Sequence, residues 1–182
     1  MTVILDPGHG LSNKRAGVFD PGAVSGQFRE ADIVMEWANE IRAFLRCAGH
    51  KVIRTRINNS DPAPIGERAA IAEDFGGDVM LSLHCNAFNG TANGTETFYR
   101  GAHNKRNAEI INAAVVDALG TANRGVKTET DSQHARLAVM NFQPCFLLEI
   151  GFIDHAGDRQ KMTDPLLRAQ ACAALADILC KF

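Results

Sequence analysis

Val3-Ile4-Leu5 runs directly into Asp6-Pro7-Gly8-His9-Gly10, and this stretch decides the reading of the chain. A short β-rich apolar run stopped by Pro and two Gly predicts a buried strand that ends in a tight turn, with His9 at its tip. In open α/β sheets ligands collect at the carboxyl ends of the strands, so this tip is a natural place for a site. A phosphate-loop reading of the glycines gains little, because no Gly-Lys-Ser/Thr follows and no helix begins at once. A lone His at a turn is ordinarily a cap. The balance shifts only if partners stand at other strand ends.

Two do. Val79-Met80-Leu81 closes in Ser82-Leu83-His84-Cys85-Asn86, and Cys145-Phe146-Leu147-Leu148 closes in Glu149-Ile150-Gly151-Phe152. Three strands thus end in a residue able to bind zinc or move a proton, since neutral imidazole and carboxylate both suit that ion.

The intervening sequence supplies alternating strands and helices. Leu11 to Arg29 has three Gly and no period, and reads as a long loop over the first strand's tip. Glu30 opens a helix with Ile33, Val34, Trp37, Ile41, Phe44 and Leu45 on one face and Gly49 as its stop. Strands are expected at 51–56, 78–83, 95–99, 137–140 and 145–150, and helices at 65–75, 105–119, 158–162 and 165–180. Gly120 to Ala135 reads as a second long loop, with Arg124, Lys127 and His134 on it. This alternation predicts an α/β fold, a three-layer α/β/α sandwich around a mostly parallel sheet of about six strands.

The 182 residues fit a single domain spanning 1–182. Hydrophobic residues make up 46% and charged ones 22%, near average usage, and a formal net charge of -2 offers no nucleic-acid footprint. Five cysteines without CxxC spacing suit a reducing compartment better than a disulfide framework. Met1 and Thr2 lead straight into the first strand, so neither a signal peptide nor an apolar stretch able to span a membrane is expected.

In order, Leu5-Asp6-Pro7-Gly8-His9-Gly10, Asp20-Pro21-Gly22-Ala23, Glu30, Thr55-Arg56, Arg68, Ser82 to Ala87 and Leu148 to Phe152 resemble the zinc-dependent N-acetylmuramoyl-L-alanine amidases of bacterial cell separation and phage lysis. The similarity spans nearly the whole chain; the stretch between His9 and Asp20 is longer than the minimal family motif. The resemblance implies one zinc ion bound by His9, Glu30 and His84, with Glu149 as the catalytic carboxylate. Three protein ligands leave a fourth position open, as in catalytic zinc sites. Peptidoglycan is the implied substrate. Asn86 and His134 are candidate substrate contacts, although Asn86 equally suits a turn. Cys85 points to the opposite side of its strand from His84 and belongs in the core. Arg68 is most simply an ion-pair or carbonyl partner.

Two other readings stay open: a different zinc hydrolase on this scaffold, such as a peptidoglycan carboxypeptidase, and a non-catalytic wall-binding module. Retention of all four chemical residues speaks against the second. A monomer is expected, made in the cytoplasm and acting on the wall after release in phage or prophage lysis, or as one domain of an exported amidase.

Overall fold

The protein is described by a computed structural model, which covers residues 1–132 and 136–182. In chain order the elements are β1 (Thr2–Pro7), β2 (Gly10–Leu11), β3 (Phe19–Asp20), β4 (Val24–Ser25), β5 (Phe28–Arg29), α1 (Glu30–Cys47), β6 (Lys51–Arg54), α2 (Arg68–Asp74), β7 (Val79–Asn86), β8 (Thr95–Tyr99), α3 (Lys105–Leu119), β9 (Asn123–Thr128), β10 (Cys145–Phe152), α4 (Ala156–Thr163) and α5 (Pro165–Leu179). Six strands form one sheet in the order β6-β1-β7-β10-β8-β9. Every pairing in it is parallel except β10 with β8, so the expected mostly parallel sheet is present.

Period-two alternation gives the sheet its two faces. Val3, Leu5, Val79, Leu81, Leu83, Phe146, Leu148 and Ile150 point to the layer of α1, α3 and α5. Trp37 is fully buried there and its indole N–H donates to the Met162 carbonyl at 3.0 Å. Side chains of this size contribute about 1.5–3 kcal/mol each on burial, which makes this layer the main anchor of the fold. Ile4, Met80, Phe98, Cys145 and Leu147 point the other way, to a thinner layer of Ala69 and Ala72 from α2 with Val139, Met140 and Phe142.

The same alternation positions the site. Asp6, His84, Glu149 and Glu96 each stand an even number of residues from a member of the thin-layer face, so they continue that face toward the strand ends. Cys85 faces the thicker layer and is buried in it, as the alternation predicted.

Two expectations need correction. The sixth strand is not Leu137 to Met140: Ala138–Asn141 is a 3-10 turn packed against α2. The sixth strand is β9, inside the segment expected to be a loop from Gly120 to Ala135. The loop between β1 and α1 also contains more order than expected, with β2 paired to β3 and β4 paired to β5.

Candidate active site

The site begins with a backbone problem. The turn after β1 directs the carbonyls of Pro7, Gly8 and His9 away from the sheet ladder, and buried carbonyls need donors. Two buried guanidiniums supply them. Arg56 donates to Pro7 O at 2.8 Å, Gly8 O at 2.7 Å and Ala31 O at 2.9 Å, tying the turn to the start of α1. Arg68 donates to His9 O at 2.6 Å, Ala63 O at 2.8 Å and Pro7 O at 3.1 Å. Burial, with Arg68 nearby, brings the Arg56 pKa down to about 10, so it stays charged at neutral pH. Arg68 also pairs with Asp6 at 2.6 Å, and Thr55 and Ser82 donate to the same carboxylate at 2.5 and 2.6 Å. Burial alone pushes Asp6 up; Arg68 and the two hydroxyls outweigh it and hold the carboxyl below its usual range. The motif residues Thr55, Arg56, Arg68 and Ser82 are therefore the frame that sets the turn.

Within this frame His9 adopts φ 61°, a left-handed conformation uncommon for a residue with a Cβ. Such strain costs on the order of 1–3 kcal/mol and persists where the surroundings enforce it. Its Nδ1 lies 3.1 Å from Asp20 Oδ2, and its Nε2 lies 3.0 Å from Glu30 Oε1. Asp20 is itself oriented by Asn13 Nδ2 at 2.7 Å and the Gly22 amide at 3.0 Å. Glu30 opens α1 and receives the amides of Ala23 and Cys85 at 2.8 and 2.9 Å. His84 Nδ1 approaches the same Glu30 oxygen at 2.9 Å. Burial works to raise the Glu30 carboxyl, but His84 and His9 together hold it well below the usual carboxylate range.

His9, Glu30 and His84 each bring one ligand atom, all within 4.8 Å of one another, so the cluster can hold a metal ion. Two imidazoles and a carboxylate are a donor set suited to zinc. Packing leaves little tolerance around them: a Cβ on Gly22 would stand 2.5 Å from Glu30 Oε2, and one on Gly8 2.3 Å from His84 Cε1.

Glu149 of β10 is the register partner of His84 on one side and of Glu96 on the other. It lies outside the three-residue cluster, lines the same cleft, and its Oε2 is buried without a hydrogen-bond partner among the described residues. Burial, and then the like charges of Glu30 and Glu96, push its carboxyl well above the ordinary value. Glu96 is held the opposite way: Lys127, Arg124 and Asn86 donate to it at 2.6, 2.7 and 2.9 Å and keep it ionised against its burial. The cleft holds about 550 Å³ and opens between segments of both long connections, including Asn13, Lys14, Arg124 and Lys127.

The structure thus brings His9, Glu30, His84 and Glu149 together, with Asn86 on the cleft wall bonded to Glu96. His134 lies outside the described residues. Asp20 was legible as part of a motif, but its role as partner of His9 was not. Glu96 has no motif around it, and its one signal is an acid inside an otherwise apolar and threonine-rich strand.

Residues 3–181 match the family model for N-acetylmuramoyl-L-alanine amidase of the Amidase_3 type, and the chain belongs to that family. It is 32% identical over 193 residues to an uncharacterized cell wall amidase of Bacillus anthracis, covering 96% of this chain and 34% of that protein. It is 31% identical over 183 residues to N-acetylmuramoyl-L-alanine amidase LytC of Bacillus subtilis, covering 97% of this chain and 34% of LytC. The chain therefore spans about a third of the length of both relatives. Its fold matches the catalytic domain of CwlV, an N-acetylmuramoyl-L-alanine amidase from Paenibacillus polymyxa, with a TM-score of 0.83 at 24% identity over 97% of this chain and 94% of that one.

Proposed function

We propose that this chain hydrolyses the amide between the N-acetylmuramoyl lactyl group and L-alanine in peptidoglycan, with zinc held by His9, Glu30 and His84. The observation that carries this is the placement of Glu149. A buried carboxyl with a free oxygen faces the cleft directly beside a metal-capable cluster to which it does not belong. Family membership supplies the bond type.

The residues divide the work. Asp20 at His9 Nδ1 fixes the ring and leaves Nε2 directed at the cluster, the usual second partner of a metal-binding imidazole. The amides of Ala23 and Cys85 hold Glu30 in place. Zinc, when bound, supplies a Lewis acid for the carbonyl and lowers the pKa of water. Glu149 takes the proton of the attacking water and returns it to the leaving nitrogen, a role worth about 10²–10⁴ in rate. Its raised pKa suits the return step, since a protonated carboxyl is the donor that a departing amine requires. Every group invoked lies on one chain, which supports a monomeric catalytic domain acting at the cell wall.

The test is mass spectrometry of the fragments released from purified peptidoglycan with and without a chelator. Free lactyl sugars with intact stem peptides, lost on chelation, are expected. Release of a C-terminal amino acid would instead make the chain a carboxypeptidase, and no release at all from zinc-loaded protein would leave a wall-binding module.

A further inference from the structure

The register that sets Glu149 beside His84 continues across the sheet, and its far end carries an excess of positive charge. Glu149 pairs with Glu96, and Arg124 and Lys127 of β9 both donate to the same oxygen of Glu96. Two cations share one carboxylate, so one charge is left over. The nearby acid Asp131 accepts from the amide and hydroxyl of Thr128 and forms no ion pair with Arg124 or Lys127 among the described residues.

Both cations are built into the wall. The Arg124 guanidinium donates from Nε to Glu96, donates from Nη1 to the Asn93 carbonyl at 3.3 Å, and lies 4.9 Å from the centre of the Phe152 ring. Its stem fits only because Gly94 lacks a side chain, since a Cβ there would stand 2.9 Å from Arg124 Cγ. Lys127 reaches Glu96 across the face of Phe98, 5.9 Å from its centre. Arg124 and Lys127 are about one-third exposed, and both line the cleft. Held thus, they lose little side-chain freedom when an anion arrives, which favours binding.

We propose that Arg124 and Lys127 form a subsite for a substrate carboxylate, the free α-carboxylate of the second stem-peptide residue, and that this subsite orients the substrate in the cleft. This rests on the reading of the chain as an amidase. Strands about 4.8 Å apart put β8 and β9 roughly 5 and 10 Å from β10. A peptide spans about 3.5 Å per extended residue, so with the reach of an Arg or Lys side chain the site falls level with the first two residues. L-alanine within a peptide has no free carboxylate, and the lactyl carboxyl is consumed in the amide, so the second residue is the first to offer one. The glycan side has none near the scissile bond, and charge alone therefore distinguishes the two ends of the substrate.

The probe is a pair of product tripeptides, L-alanyl-γ-D-glutamyl-L-lysine with the glutamyl α-carboxyl either free or amidated, titrated calorimetrically into the full zinc-loaded chain. A charge-assisted pair at a half-exposed site is expected to favour the free carboxylate about tenfold in Kd. Lys127→Met is expected to reduce that ratio below about twofold, with Lys127→Arg retaining it and Arg124→Met lowering it in part. Equal binding of the two peptides to the unsubstituted protein overturns the proposal, as does a ratio unchanged in both Met variants or no binding of either peptide at millimolar concentration. Failure of the amidase reading is separate: it appears in the peptidoglycan digest, while the peptide ratio is read without turnover.

Discussion

Gly8 and His84 touch in a way that no side chain at position 8 can share: a Cβ there would lie 2.3 Å from His84 Cε1 and 2.5 Å from Nε2. The Gly8 backbone does not have the positive φ seen at Gly10 and Gly22, so alanine is conformationally allowed, and the three atoms nearest its Cβ all belong to the imidazole. Gly8→Ala is therefore expected to fold normally and to displace His84. Its zinc affinity should drop about 10–100-fold, the loss typical when the support of a ligand is disturbed. Metal analysis after dialysis against a buffered zinc series checks this, and unchanged affinity would mean that His84 is not a ligand.

Direct removal of ligands separates metal binding from proton transfer. His9→Ala and His84→Ala are expected to lose most of the bound zinc, and Glu30→Gln to weaken it, because Glu30 faces both rings from one oxygen. Glu149→Gln keeps the size and the strand but loses the exchangeable proton. Near-normal zinc content with wall-lytic activity lower by about two to four orders of magnitude is the expected result. Zinc loss in Glu149→Gln would place that residue among the ligands and return Glu30 to helix capping.

The parts of this site that were legible in the sequence are those where a local signal marks a strand end. His9, His84 and Glu149 each close an apolar run, and Glu30 begins a strongly periodic helix. What escaped depends on tertiary pairing. Asn123 to Thr128 contains Gly125 at φ 77° and four exposed or half-exposed polar residues, so nothing local distinguishes an edge strand from a loop. Leu137 to Met140 is apolar because it covers α2, and a buried 3-10 turn and a short strand give the same pattern over four residues. Glu96 is invisible as a functional group until β8 is seen to run antiparallel beside β10, which brings it level with Glu149.

The buried pair of Asp6 and Arg68 supports the turn, and breaking it has a predictable pH dependence. Asp6→Asn leaves Arg68 buried without its counter-charge, a change that typically costs about 3–5 kcal/mol. The folded pKa of Asp6 lies below its ordinary value of 3.8, so its contribution is fully present above that pH and is lost as pH falls through the folded value. The stability gap between wild type and Asp6→Asn, measured by urea unfolding, should be largest at neutral pH and narrow below about pH 4. A gap independent of pH would show that the carboxylate charge does not support the turn.

Glu149 has the opposite sign, and the metal-free protein should reveal it. Its carboxyl is pushed well above 4.5 by burial and by the neighbouring Glu30 and Glu96, so folding favours the protonated form. Below pH 4.5 the group is protonated in both folded and unfolded chains and contributes no difference. As pH rises from there, the unfolded chain releases the proton while the folded chain retains it, and stability falls by about 1.4 kcal/mol per pH unit until the folded pKa is passed. Glutamine cannot ionise and escapes this loss. Glu149→Gln is therefore expected to match the wild type near pH 4 and to become progressively more stable than it toward neutral pH, in chelator-treated samples unfolded by urea. If the two curves stayed parallel across that range, Glu149 would be ionised in the folded protein at an ordinary pKa, and burial beside Glu30 and Glu96 would not govern its titration.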